Sequence, residues 1–254
     1  MYFGLSEEQQ SLEDNIKKYL EDNASLDTIK EVAGGDSAKA ENIHKGLLEL
    51  GISGLMVPEQ YGGLELDMLF ASVVSGALGA GTAPVAYAGA YVMAPMALSL
   101  GGSESQKETW LPKIAGGEAV VGIGISEYVG AREDAAITFS NKSISGRCLF
   151  VIDAKNADAY ILANKAGELY LVDAKAKGIS VTELVTVDKT RPSIELNLKS
   201  VKAELLPGSE NNQEVINKVL DAGRLMLSAD SVGASQLCWT KLLLTPWKGN
   251  SLEE

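Results

Sequence analysis

The spacing of apolar residues changes twice along this 254-residue chain, and the change limits the folds that it can adopt. Apolar residues recur at helical spacing up to about residue 117, alternate with polar residues over 119–206, and return to helical spacing over 213–238. A helix face repeats about every 3.6 residues and a strand face every two. We therefore predict an α+β protein with an all-helical N-terminal domain (1–117), a central β-barrel or sandwich domain (118–210), and the start of another helical part (211–254).

Start and stop signals divide the N-terminal region into helices. Ser6 and Gln9 form a capping-box pattern before EEQQSLEDNIKKYLEDN. A second helix around AENIHKGLLEL is predicted to end at Gly51, because glycine favours the left-handed conformation found after many helices. The stretch SESQKETWLPKIAGG predicts one more short helix, capped by Ser103 or Ser105.

Residues 68–100 carry no charged side chain, so a membrane span has to be considered. Glycines and prolines cut this stretch into pieces shorter than a span, at Gly79, Gly81, Pro84 and Pro95. Most of its residues are small. The pattern therefore favours closely packed buried helices over a membrane span.

Eight short runs of β type follow, separated by turn residues. They cover 119–127, 135–141, 143–153, 158–164, 168–174, 179–184, 193–198 and 202–206. Short strands at this spacing favour a barrel or sandwich over βαβ units.

Charge and reactive residues exclude several functional classes. The net charge of −12 argues against a general nucleic-acid binder, since phosphate neutralisation needs a basic surface. Cys148 and Cys238 give neither a metal-ligand spacing nor a disulfide framework, and the opening MYFGLSEEQQ lacks the features of a signal peptide, so we expect a cytoplasmic protein. His44, the one histidine, has no acidic or nucleophilic partner nearby in the sequence and is expected at the surface.

Several stretches, in order, resemble the acyl-CoA dehydrogenase family. They are LLELGISGLMVPEQYGGLELD, GGSESQKETWLPKIAGGEAVVGIGISE, KNADAYILA and LSADSVGASQLC, and the resemblance extends over nearly all of residues 1–238. It implies FAD as cofactor, α,β-dehydrogenation of an acyl-CoA thioester, an electron-transfer flavoprotein as acceptor, and a homo- or hetero-oligomer. In that reaction a glutamate abstracts the α-proton while the flavin N5 accepts the β-hydride.

The same resemblance suggests site residues. SEYVGARED stands where members carry Thr-Glu-Pro-x-x-Gly-Ser-Asp, and FVI stands for Trp-Ile-Thr. Ser126 keeps a hydroxyl for the flavin ring, whereas Ile152 cannot form the hydrogen bond of the threonine that it replaces. The predicted cofactor contacts are Ile123, Ile125, Ser126, Phe150 and Ile152; no metal site and no catalytic residue are predicted.

Other interpretations of these residues stay open. Arg132 replaces a serine near the acyl-CoA, where it could pair with a pantetheine carbonyl or a phosphate, or fill the acyl pocket. Arg132 could equally be a solvated loop charge. Ser126 could be an ordinary strand serine, and Phe150 a core aromatic residue.

The tail CWTKLLLTPWKGNSLEE departs from the preceding helical pattern. If one nucleotide were missing from the coding DNA after Cys238, the tail could re-read as CLDKAVAYSLEREQFGR, which is similar to the family's next helix. The single tryptophan codon forces the aspartate and one glutamate of that reading. We therefore predict that 239–254 are out of frame and that, as the resemblance implies, 211–254 is the start of a truncated C-terminal helical bundle. The parent is then expected to continue into a helical domain with the catalytic base, and this chain to be inactive.

Three alternatives remain at this stage. The tail could be a natural divergent ending. The protein could be a non-catalytic partner subunit of a heteromeric acyl-CoA dehydrogenase. It could also be a flavin enzyme of the same fold that acts on something other than an acyl-CoA.

Overall fold

A computed structural model describes residues 4–130, 136–153 and 156–244. The N-terminal part of these ranges is helical. Its α-helices are α1 (Glu7–Asn23), α2 (Leu26–Ala33), α3 (Ser37–Glu49), α4 (Met68–Ala80), α5 (Ala94–Gly101) and α6 (Glu104–Ala115). A 3-10 turn (Glu59–Tyr61) precedes α4, and a π-helical segment (Ala88–Met93) leads directly into α5.

Local capping signals were predicted well. Ser6 and Gln9 form the capping box of α1, and Ser103, rather than Ser105, caps α6 with Gln106. Gly51 follows α3 with a φ of +81°, the left-handed region expected after a helix end. The short helix α2 was not predicted.

The uncharged stretch forms buried helices, as expected. Ala71, Val74 and Ala77 of α4 and Leu98 of α5 have no exposed surface. Across the described residues, no helix combines the length and the apolar character that a membrane crossing requires.

The β domain contains all eight predicted strands. They are β1 (Val121–Gly124), β2 (Ile137–Ser140), β3 (Ser143–Val151), β4 (Ala159–Ala163), β5 (Leu169–Asp173), β6 (Ile179–Glu183), β7 (Ile194–Lys202) and β8 (Glu204–Leu205). Their order is β1-β4-β5-β8 in one four-stranded sheet and β2-β3-β7-β6 in the other. The pair β1–β4 is parallel and the other pairs are antiparallel. Residues of both sheets share one apolar cluster, including Leu162 of β4 and Leu196 of β7.

Helix α7 (Gln213–Leu244) returns the chain to the helical domain. Its first half packs inward through Ile216, Val219 and Met226, each at most 1% exposed. Its second half presents apolar side chains to solvent, including Val232 and Trp239. The helix continues without interruption through residues 239–244 of the tail, whereas 245–254 lie outside the described residues. The reading-frame hypothesis stays a prediction.

Helices α4 and α7 approach each other through glycines. A Cβ atom at Gly233 would collide with the carbonyl oxygen of Gly76, and one at Gly79 would collide with the carbonyl oxygen of Asp230. At Gly76 the space is sufficient, because a Cβ there would lie 3.6 Å from the Ala229 carbonyl oxygen. Contact between the two helix backbones therefore depends on Gly79 and Gly233.

Substituting Gly233 with alanine is expected to lower the free energy of unfolding by about 1–3 kcal/mol, because the new methyl group forces the helices apart. Gly76→Ala is the matched control on the same interface. It should leave stability unchanged or raise it by up to about 1 kcal/mol, because alanine is the better helix former. Urea denaturation followed by circular dichroism measures both. Equal stabilities of the two variants would contradict the proposed contact.

Candidate cofactor and substrate site

Two distant sequence stretches meet at a backbone bridge between Ile123 and Ile152, which joins the two sheets and is here called the crossing. The backbones of Ile123 and Ile152 form an isolated antiparallel bridge, in which Ile123 N–H donates to the Ile152 oxygen (3.1 Å) and Ile152 N–H donates to the Ile123 oxygen (3.0 Å). This bridge joins β1 of one sheet to the residue that follows β3 of the other. It brings together the two groups of residues predicted to contact the flavin.

Ser126 begins the turn that follows β1, and its hydroxyl points into the β domain. The hydroxyl accepts a hydrogen bond from Leu149 N–H (3.0 Å) and lies 3.6 Å from the Cys148 sulfur. Ser126 is only 4% exposed. Burial raises the pKa of Cys148 to about 11, so the thiol is protonated at neutral pH. The Ser126 side chain therefore links β1 to β3, and its role toward a flavin stays a prediction.

The same turn offers backbone donors. The Ile125 oxygen accepts from Val129 N–H (3.1 Å), which closes the turn. Within the described part of the chain, no group accepts a hydrogen bond from the N–H of Ser126 or of Glu127. Adjacent unpaired N–H groups at the start of a turn suit an electronegative ligand atom.

Phe150 lies at a distortion of β3. The pairing register between β3 and β7 shifts between Cys148 and Val151, and Phe150 has a φ of +50°. A bulky residue rarely adopts this conformation, because its Cβ is crowded there. As a result, 49% of Phe150 is exposed, so it is not a core aromatic residue. Such distortions re-aim side chains beside active sites in many sheets.

A cavity of about 230 Å³, here called the interdomain cavity, opens beside Ile152. All three parts of the fold contribute to its wall: the helical domain through Leu78, Val85 and Ala88, the β domain through Ile152 and Arg191, and α7 through Met226, Leu227 and Asp230. Pockets for small ligands have this composition, mostly apolar with a few polar groups.

An ion pair closes one side of the interdomain cavity. The Arg191 guanidinium donates to both carboxylate oxygens of Asp230, from Nη1 at 2.8 Å and from Nη2 at 3.2 Å, and its Nε donates to Asp188 at 3.3 Å. The side chains are partly shielded, with 32% of Arg191 and 15% of Asp230 exposed. This pair connects the loop before β7 to α7.

Asp153 connects the β domain to the helical domain. Its Oδ2 accepts hydrogen bonds from Gly89 N–H (2.5 Å) and Ala90 N–H (3.2 Å), at the start of the π-helical segment. Burial raises the pKa of Asp153 in spite of these donors. A Cβ at Gly89 would lie 2.8 Å from the carboxylate oxygen, so a larger residue there would displace the Asp153 side chain.

His44, which was expected at the surface, is partly buried. Its Nε2 hydrogen-bonds the Tyr91 hydroxyl (2.8 Å), and burial lowers the pKa of the imidazole. Burial also raises the pKa of Tyr91, so both groups are neutral. His44 and Asp153 border a second cavity of about 170 Å³, which Arg191 also lines. Arg132, the predicted substrate contact, lies outside the described residues.

Comparison with known proteins identifies the family. A model of the acyl-CoA dehydrogenase N-terminal domain matches residues 6–118. Residues 6–118 therefore belong to the N-terminal domain of the acyl-CoA dehydrogenase family. A probable acyl-CoA dehydrogenase of Bacillus subtilis is 24% identical over 242 residues, which cover 87% of this chain and 41% of that relative. The chain therefore spans less than half the length of this relative.

Solved structures of acyl-CoA dehydrogenases share the fold. A chain of the ChsE4–ChsE5 complex from Mycobacterium tuberculosis superposes with a TM-score of 0.83 at 20% identity, over 96% of this chain and 67% of that one. An acyl-CoA dehydrogenase from Bacillus anthracis complexed with FAD superposes with a TM-score of 0.79 at 19% identity, over 90% of this chain and 42% of that one.

The partly buried His44 gives the protein a testable pH dependence. Below about pH 6.5 the unfolded histidine binds a proton, whereas the folded one, with its lowered pKa, does not until the pH falls further. The unfolded state then binds more protons, so the free energy of unfolding should decrease as the pH falls from about 7.5 to about 5.5.

The matched variant is His44→Gln, which keeps a polar group near Tyr91 and removes the sole imidazole of the sequence. Urea denaturation at several pH values should show a weaker loss of stability on acidification for this variant. Asp153, whose pKa is raised, acts in the opposite direction and is present in both proteins. Parallel pH profiles would show that His44 titrates normally.

Proposed function

We propose that the protein is an acyl-CoA dehydrogenase-like flavoprotein, in which the crossing of the two sheets binds FAD and the interdomain cavity receives the acyl group. The observation that carries this proposal is the exposed Phe150, held at positive φ beside the Ile123–Ile152 bridge. Residues held in strained backbone conformations cluster at active sites and ligand-binding sites.

The residues at the crossing suit an isoalloxazine ring. The partly exposed Ile125 and Ile152, together with Phe150, offer apolar contact to a planar ring. The N–H groups of Ser126 and Glu127, which have no acceptor among the described residues, would bond its ring acceptors. Bound FAD would supply the hydride-accepting centre. The Ser126 hydroxyl contributes indirectly, because its bond to Leu149 holds the turn against β3.

The proposed reaction is α,β-dehydrogenation of an acyl-CoA thioester in a longer protein. The family resemblance assigns proton abstraction to a glutamate that most members carry far along their C-terminal domain. The chain spans 41% of its Bacillus subtilis relative, so we propose that the 254 residues bind ligands without turning over. We further propose an electron-transfer flavoprotein as acceptor, a cytoplasmic location, and oligomerisation in the parent.

A second function is a non-catalytic partner subunit. Ile152 favours it, because its side chain has no hydrogen-bonding group where the family carries a threonine. The inward orientation of the Ser126 hydroxyl points the same way. Such a subunit would keep the fold and bind FAD weakly or not at all.

FAD binding to the purified chain separates the two functions. Quenching of FAD fluorescence on titration with the protein is expected for the flavoprotein, and Phe150→Ala should weaken this binding about tenfold, equivalent to about 1.4 kcal/mol. Val181→Ala is the matched control, since Val181 is a similarly exposed apolar residue of the same domain, on β6. It should leave the affinity unchanged.

Absence of FAD binding would favour the partner subunit. Equal affinities of the wild type and Phe150→Ala would remove the ring-contact argument. Butyryl-CoA with an artificial electron acceptor tests turnover, and measurable oxidation by the 254-residue chain would overturn the proposal that this chain is inactive.

A further inference from the structure

We propose that the interdomain cavity selects an acyl group whose distal end donates a hydrogen bond, such as a hydroxyl, over a saturated chain of the same length. This inference rests on the proposed function, because it assumes that the acyl group enters beside Ile152. The geometry of the Arg191–Asp230 pair and the charge around it carry the inference.

The cavity wall is net negative. Three carboxylates, those of Asp153, Asp188 and Asp230, line it beside one guanidinium, that of Arg191. The sign stays negative whether Asp153 is ionised or protonated. An acyl group that ends in a carboxylate would meet repulsion here, in spite of the arginine, because Asp230 and Asp188 already engage Arg191.

The polar wall offers acceptors more than donors. Three of the five N–H donors of Arg191 are used by Asp188 and Asp230. Two hydroxyls on the helical side donate to backbone oxygens instead, Ser75 to Met226 (2.7 Å) and Tyr87 to Ala71 (3.3 Å). Each carboxylate oxygen of Asp230 receives one N–H and retains a lone pair. A hydroxyl that reaches this wall can therefore donate a hydrogen bond to the Asp230 carboxylate.

A saturated chain, in contrast to a hydroxylated one, forms no hydrogen bond with this polar wall. The Arg191–Asp230 pair is partly solvated, and a methyl end pressed against it would remove water without replacing its hydrogen bonds. Leu78, Val85 and Met226, which also line the cavity, suit the methylene groups of the acyl chain. The cavity thus combines apolar and polar lining residues within about 230 Å³, which suits a short acyl group with a polar tip.

Isothermal titration of the 254-residue chain with two matched thioesters tests this inference. 4-Hydroxybutyryl-CoA and valeryl-CoA have acyl groups of equal length, in which a hydroxyl replaces a methyl group. We expect the hydroxylated thioester to bind at least tenfold more tightly. Equal binding, or tighter binding of valeryl-CoA, would overturn the inference while leaving the proposed function intact.

Asp230→Asn tests the residue that carries the preference. It keeps the shape, removes one charge and reduces the acceptor character, so the preference should fall to threefold or less. Glu214→Gln is the matched control, because Glu214 also forms an ion pair on α7, with Lys218 at 2.7 Å, but lies away from the cavity. It should keep the full preference.

A third thioester makes the test independent of any variant that fails to fold. Glutaryl-CoA, whose acyl group ends in a carboxylate, should bind the wild type more weakly than valeryl-CoA, and tighter binding would contradict the net negative wall. If neither FAD nor any of the three thioesters binds, the proposed function fails and the selectivity inference fails with it.

Discussion

The candidate site depends on one pair of backbone hydrogen bonds, those between Ile123 and Ile152. They join the two sheets of the β domain at the point where β3 ends. Because Ile152 is fixed there, Phe150 is directed outward on one side and Asp153 reaches the helical domain on the other. A single crossing therefore sets the position of the aromatic ring, the apolar edge of the cavity and the contact between domains.

Charge is concentrated where the three parts of the fold meet. Asp153 holds the start of the π-helical segment, and Arg191 holds Asp230 of α7. Partly buried ion pairs contribute little net stability, since desolvation offsets their attraction. These hydrogen bonds instead fix the orientation of the segments that they join, because each bond requires a narrow range of distances and angles. The polar lining of the interdomain cavity is thus made of the same groups that hold its walls together.

Local signals in the sequence predicted most of the fold. These signals act within a few residues, so they can be recognised without knowledge of tertiary contacts. They are the Ser6–Gln9 capping box, Gly51 and the eight alternating runs. Helix α2 was missed because LDTIKEVA is short, although Ser25, which caps it by accepting from Thr28 N–H, was a usable signal.

The candidate site was predicted less completely, because its features are non-local. The resemblance to acyl-CoA dehydrogenases indicated Ile123, Ser126 and Ile152, which the structure brings together. The partner of His44 lies 47 residues away, at Tyr91, so no neighbouring residue indicated its burial. The register shift that exposes Phe150 depends on how β3 pairs with β7, and alternation within β3 alone does not reveal it.

The glycine contact between α4 and α7 has a consequence for the cavity. The carbonyl oxygen of Asp230 lies against Gly79, and Gly233 follows less than one turn later, against Gly76. The backbone that carries the Asp230 carboxylate is therefore fixed by this close contact between α4 and α7. An added methyl group at either position would displace α7 and lengthen the bonds from Arg191 to Asp230. Helix packing, rather than the ion pair itself, sets the position of the Asp230 carboxylate in the cavity wall.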